Sequence, residues 1–129
     1  MRITIQSDTD IIIVRQQARI LAKDLGFSAS DLTLIATALS ELARNIVEYA
    51  QHGEIILSRI DQGGRRGMGI IARDNGPGIA DIERAMQDGY STGKGLGMGL
   101  PGTRRLMDEF EITSREGKGT TVRITKWVN

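Results

Sequence analysis

Met68-Gly69-Ile70-Ile71-Ala72-Arg73-Asp74-Asn75-Gly76-Pro77-Gly78 begins as an apolar strand and ends as a glycine turn. Glu54 to Ile60 also reads as a strand, and Gly63-Gly64 between the two supplies a hairpin turn. Beyond the strand, Gly76 and Gly78 permit positive φ or close backbone approach to a ligand. Asp74, at the strand end, can accept a hydrogen bond from an exocyclic amine. The same residues also suit an ordinary strand-to-helix turn, because Asp, Asn and Gly favour turns for local reasons. An EF-hand loop is excluded, since its later acidic positions and distal Glu are absent.

Toward the N-terminus, Arg2 to Gln6 alternates as a strand. Val14, Ala18, Leu21, Ala22 and Leu25 recur at helical spacing and predict a helix over Ile11 to Leu25. Gly26 is suited to the left-handed residue that closes it. Ser28-Ala29-Ser30-Asp31 offers N-caps for a second helix, with an apolar stripe at Leu32, Ile35, Leu39, Leu42 and Ile46. That helix is expected to reach about Ala50 and to stop at Gly53. Toward the C-terminus, a short helix is expected over Ala80 to Gln87 and a mobile loop over Asp88 to Gly99. Leu100 to Glu109 reads as a helix with Pro101 in its first turn, where a missing N–H costs nothing. Phe110 to Arg115 and Thr120 to Val128 form a last hairpin around Glu116-Gly117-Lys118-Gly119. The pattern predicts one α/β domain over residues 1–129. It is a two-layer α/β sandwich, with a mixed, mostly antiparallel sheet and helices on one face.

Composition narrows the function classes. The chain has 129 residues, 40% hydrophobic and 26% charged, which is ordinary globular usage and not that of a disordered chain. Lys and Arg number 17 against 16 Asp and Glu, a net charge of +1, so no basic stripe for nucleic acid is expected. Without cysteine, disulfides, zinc-thiolate sites and cysteine nucleophiles are excluded. The longest aliphatic run, Ile11 to Val14, is too short to span a bilayer, and Met1 to Gln6 lacks a signal-peptide core. A cytoplasmic domain without membrane contact is therefore expected. The 16 glycines lie mostly in the second half of the chain, where function is sought.

On the second helix, Glu41 and Asn45 are four residues apart and share a face beside the buried stripe. A carboxylate and a carboxamide there can serve as general base and magnesium ligand. Magnesium keeps several waters, so one Asn plus phosphate oxygens suffices. An exposed polar helix flank is the alternative. Gly93-Lys94-Gly95-Leu96-Gly97-Met98-Gly99-Leu100 leads into a helix, and free N–H groups at such an entry make an anion site. A flexible surface loop is the alternative. The segment is no Walker A, because Gly89 and Gly93 enclose too few residues and Lys94 precedes Gly95. Gly97-x-Gly99-x-x-Gly102 fits the dinucleotide pattern, but no βαβ unit surrounds it. Gly117 to Val122 reads as a hairpin turn entering a strand. His52, the single histidine, reads as a helix-terminal residue and not as part of a triad.

In combination the segments are specific. Glu-x-x-x-Asn on a helix is followed by Asp-x-Gly-x-Gly after a strand, a glycine-rich lid before a helix, and Gly-Thr at a strand start. That order resembles the ATP-binding fold shared by DNA gyrase B, Hsp90, sensor histidine kinases and MutL, the GHKL or Bergerat superfamily. Within it, Glu41 to Asn45, the short lid and the small size resemble the anti-sigma factor kinase family, specifically its switch serine/threonine kinases. Ile35 to Asn45, Asp74 to Ile82, Leu96 to Leu100, Arg105 to Phe110 and Lys126-Trp127 carry the likeness, which covers essentially the whole chain.

The resemblance implies a role for each matched residue. Asn45 would hold magnesium against the ATP phosphates, and Glu41 would take the proton from the attacking hydroxyl. Asp74 would bond the adenine amino group, with Thr120 beside it. Gly76 and Gly78 would let the backbone approach the nucleotide. Gly97 and Gly99 would present N–H groups to the phosphates, with Gly95 and Leu100 in the same lid. Lys94, on its chemistry and not by the family pattern, would meet the γ-phosphate. The resemblance further implies a Ser or Thr acceptor on a STAS-domain antagonist of a stressosome-type complex, and activation of a PP2C-type phosphatase by the released kinase. Two other functions stay open at this level: an anti-sigma factor that sequesters a sigma subunit, and a nucleotide-gated binding module without chemistry.

Overall fold

A computed structural model describes residues 1–77 and 99–129. Its elements are β1 (Arg2–Ile5), α1 (Asp8–Leu25), α2 (Ala29–Asn45), a π-helical turn (Ile46–Ala50), β2 (Gly53–Gln62), β3 (Arg65–Asp74), α3 (Gly99–Leu106), β4 (Glu109–Arg115) and β5 (Gly119–Trp127). The helix expected over 80–87 and nearly all of the loop expected over 88–99 lie outside the described residues.

The strands form one sheet in the order β1-β2-β3-β5-β4, and every described ladder is antiparallel. The sheet, expected to be mixed and mostly antiparallel, is antiparallel throughout the described residues. Its two long hairpins need only tight turns. Gly63 and Gly64 have φ of 61° and 78°, the pair of positive values that a two-residue turn matched to strand twist requires.

Side chains alternate across the strands, so Ile55, Leu57, Met68, Ile70, Val122 and Ile124 share one face. They join Val14, Ala18, Ala22 and Leu25 of α1 and Ile35, Leu39 and Leu42 of α2 in a single buried core. Burying a side chain of this size contributes about 1.5–3 kcal/mol. The opposite face has a smaller cluster. Trp127 sits opposite Gly67, and a Cβ on Gly67 would come within 2.7 Å of the indole. The indole fills the space the glycine leaves. It donates to Glu109 Oε2 at 2.8 Å and lies 4.4 Å beneath the Arg65 guanidinium.

Several boundaries differ from expectation for identifiable reasons. α1 starts at Asp8, ahead of the first apolar residue, because the Asp10 carboxylate reaches back to the N–H groups of Gln6 (2.9 Å) and Ser7 (3.2 Å). Gly26 closes the helix in the left-handed region, φ 93°, as expected. Ser28 caps α2 by accepting from the Asp31 N–H at 3.2 Å. The regular part of α2 ends at Asn45 and widens into the π turn, which closes at Gln51 with φ 70°. Gly53 is thus not the helix stop but the first residue of β2. A Cβ there would meet the Arg73 carbonyl at 2.6 Å and the Ile46 side chain at 2.9 Å. α3 ends at Leu106 and β4 begins at Glu109, so the last helix is shorter than expected. None of the described helices is long and apolar enough to cross a membrane.

Candidate nucleotide site

The candidate site forms where the C-terminal end of α2 meets the ends of β3 and β5. Asp74 closes β3, opposite Gly53 on one side and Thr120 on the other. Its Oδ1 accepts the Gly76 N–H at 2.9 Å, an Asx turn that bends the chain away from the sheet. Oδ2 has no hydrogen-bond partner among the described residues, so one carboxylate oxygen is committed to the turn and the other is open.

Three close approaches hold this turn. A Cβ on Gly76 would lie 2.7 Å from the Ala50 Cβ, so the π turn after Asn45 docks against the residue after Asn75. π-helical turns recur at functional sites, and here the widening brings Ala50 onto Gly76. On the other flank, a Cβ on Gly119 would collide with the Asp74 carbonyl, and Gly119 has φ of 87°. The tip of the β4–β5 hairpin completes the enclosure, with the Gly117 N–H donating to the Pro77 carbonyl at 2.6 Å. Thr120 is held in place by a 2.7 Å hydrogen bond between its Oγ1 and Ser114 Oγ.

Glu41 and Asn45 lie in the last turns of α2, just ahead of the π turn. The Glu41 side chain is 6% exposed and pairs with the Arg44 guanidinium, Nη1 to Oε1, at 3.1 Å. The alternative of an exposed polar flank is therefore wrong for Glu41: its carboxyl group lies inside the fold, where a polar group is costly without a partner. The Asn45 side chain is half-buried and makes no capping hydrogen bond. A carboxamide carries an oxygen that can be offered to a cation. Among the described residues no group of three or more His, Cys, Asp or Glu could hold a metal by itself. A single carboxamide fits magnesium that takes its other ligands from phosphates and water.

The remaining expected site residues divide into two groups. Gly78, Lys94, Gly95 and Gly97 lie outside the described residues. Gly99 begins α3, and Leu100 in its first turn has its side chain in the core, 8% exposed. Leu100 can therefore serve a ligand only through its backbone, while its side chain packs the helix down. Sequence reasoning gave no site role to Arg44, Ala50, Ser114 or Gly119. Arg44 had a readable signal in its helical spacing of three from Glu41, and Gly119 in the Gly-Thr pair at the start of the last strand; Ala50 and Ser114 had none.

A family model described as the histidine kinase-like ATPase domain matches residues 6–126. The serine/threonine-protein kinase RsbT of Bacillus subtilis (strain 168) is 49% identical over 126 residues, covering 98% of this chain and 95% of the relative. An anti-sigma F factor of Thermoanaerobacter sp. (strain X514) is 34% identical over 113 residues, 83% of this chain and 78% of the relative. Among solved structures, the RsbU and RsbW domains of a Mycobacterium tuberculosis protein match with a TM-score of 0.64 at 23% identity, covering 98% of this chain and 31% of that one. The mycobacterial sensor histidine kinase MprB matches with a TM-score of 0.59 at 18% identity, covering 98% of this chain and 96% of that one. These structural matches support the fold.

Proposed function

The chain belongs to the histidine kinase-like ATPase family, on its RsbT-type serine/threonine-protein kinase branch, and we propose that it phosphorylates STAS-domain antagonist proteins with Mg-ATP. Those partners would be RsbS- or RsbR-like components of a stressosome-type complex. The released kinase would then activate a PP2C-type, RsbU-like phosphatase in sigma-factor signalling in the cytoplasm. The observation that carries this reading is the junction of α2 with the β3 turn. Gly76 and Gly53 carry no side chain where Ala50 and Ile46 dock, so the helix bearing Glu41 and Asn45 abuts the turn bearing Asp74.

Phosphoryl transfer needs positioning and charge neutralisation more than covalent help from the protein. The open oxygen of Asp74 suits the adenine amino group, and Thr120 on the neighbouring strand completes that wall. Asn45 would hold the magnesium ion, which when bound neutralises charge on the phosphates. Glu41 would accept the proton of the attacking Ser or Thr hydroxyl. The N–H groups at the start of α3 suit the phosphates, and residues 94–97 would complete that lid.

The anti-sigma F relatives support sigma-factor regulation more broadly. The RsbT likeness, at higher identity and over more of the chain, favours the kinase over a sigma-sequestering module. Incubation with labelled ATP, magnesium and a cognate STAS protein tests this: label on a STAS Ser or Thr supports the kinase, whereas stoichiometric sigma-factor capture without label would replace it.

A further inference from the structure

Arg44 has no place in the mechanism so far, yet it is the ion-pair partner of the buried carboxylate. Its Nη1 meets Glu41 Oε1 at 3.1 Å. Oε2 accepts no hydrogen bond among the described residues. No fully buried side-chain oxygen among them lacks a partner, so Oε2 is not sealed off. One oxygen of the carboxylate is held and the other is open.

We propose that Arg44 is a positioning residue for phosphoryl transfer: by holding Oε1 it aims Oε2 at the acceptor hydroxyl. The proposal rests on the assignment of Glu41 as general base. The terminal torsion of a Glu side chain is broad, so an unheld carboxylate turns through many orientations. A charge-assisted bond to one oxygen narrows that range. Arginine suits the task because it stays charged and its donors are rigidly arranged. Its place one helical turn from Glu41 lets α2 fix both ends of the contact. In the step itself, the acceptor oxygen bonds to the γ-phosphorus as the bond to the ADP oxygen breaks. ADP carries away the bonding pair, and the hydroxyl proton passes to Oε2 and then to solvent. Arg44 takes no proton.

The test uses the full chain with Mg-ATP and a cognate STAS-domain acceptor, comparing Arg44→Ala, Arg44→Lys, Glu41→Gln and the Arg44→Ala/Glu41→Gln double variant. Arg44→Ala is expected to lower kcat at least ~10-fold, the scale of a misplaced catalytic group. The KM and calorimetric Kd for ATP should stay within about twofold, because Arg44 acts through Glu41 and not on the nucleotide. Arg44→Lys should recover part of the rate, and Arg44→Ala should cost nothing further in the Glu41→Gln background. If Arg44→Ala does not fold, Arg44→Gln, which keeps a donor and loses the charge, takes its place. Wild-type kcat in the Arg44 variant beside an inactive Glu41→Gln would overturn the positioning role and leave the base intact. A further loss in the Glu41→Gln background would place the guanidinium on the phosphates and also overturn it. Wild-type turnover by Glu41→Gln would remove the base assignment itself, and the proposal with it.

Discussion

Gly119 stands so close to Asp74 that a side chain at residue 119 would run into the Asp74 carbonyl, and its φ of 87° is one that L side chains rarely adopt. The hairpin that delivers Thr120 is therefore seated directly against the strand that delivers Asp74. Gly119→Ala is expected to destabilise the fold by about 1–3 kcal/mol through overpacking, with left-handed strain in addition. ATP affinity should fall with it as Asp74 is displaced. Denaturant titration and calorimetry on the same preparation check both, and unchanged stability would contradict the close approach.

Asp74→Asn separates the adenine contact from the turn. Asn retains an oxygen for the Gly76 N–H, so the Asx turn and the melting temperature should be preserved. The charged acceptor is lost, and a hydrogen bond to a charged group is worth about 1.5–3 kcal/mol. ATP binding should weaken by roughly 10- to 100-fold. Calorimetry giving wild-type affinity would refute the adenine role.

Asn45→Ala tests the magnesium assignment. The Asn45 side chain caps no helix, so the fold should tolerate its loss. Titrations of ATP with and without magnesium should show the metal-dependent gain in affinity diminished, and turnover should fall with it. An undiminished gain would place the metal elsewhere.

Trp127→Ala probes the sheet face away from the main core. The indole is 6% exposed and packs over Gly67, so its removal should cost about 3–5 kcal/mol. The effect belongs to the fold and not to the nucleotide. ATP affinity measured well below the melting temperature should therefore stay near wild type, and a selective loss of ATP binding would contradict the placement.

The sequence was most informative where local chemistry has a period or a steric demand. Alternation marked β1, the Gly63-Gly64 pair between two strand-like runs marked the β2–β3 hairpin, and i, i+4 spacing put Glu41 and Asn45 on one helix face. Three features were hidden because they depend on distant partners. Nothing in Ile46 to Ala50 distinguishes a π turn from a continued α-helix until Ala50 meets Gly76. The start of α1 was obscured because its first turn is polar and is held by an Asp10 cap, not by an apolar stripe. Gly119 read as one residue of a hairpin turn because its contact, Asp74, lies far away in sequence. The seat of Trp127 was hidden for the same reason, since Gly67 reaches it only through the β3–β5 ladder.

The most direct test of the kinase assignment is phosphotransfer from γ-labelled ATP to a cognate STAS-domain protein, by wild type and Glu41→Ala in parallel with magnesium. The expected result is label on a STAS Ser or Thr with wild type and none with the variant, while both bind ATP. Equal labelling by the two would contradict the role of Glu41. No labelling by either, despite ATP binding, would contradict the kinase itself.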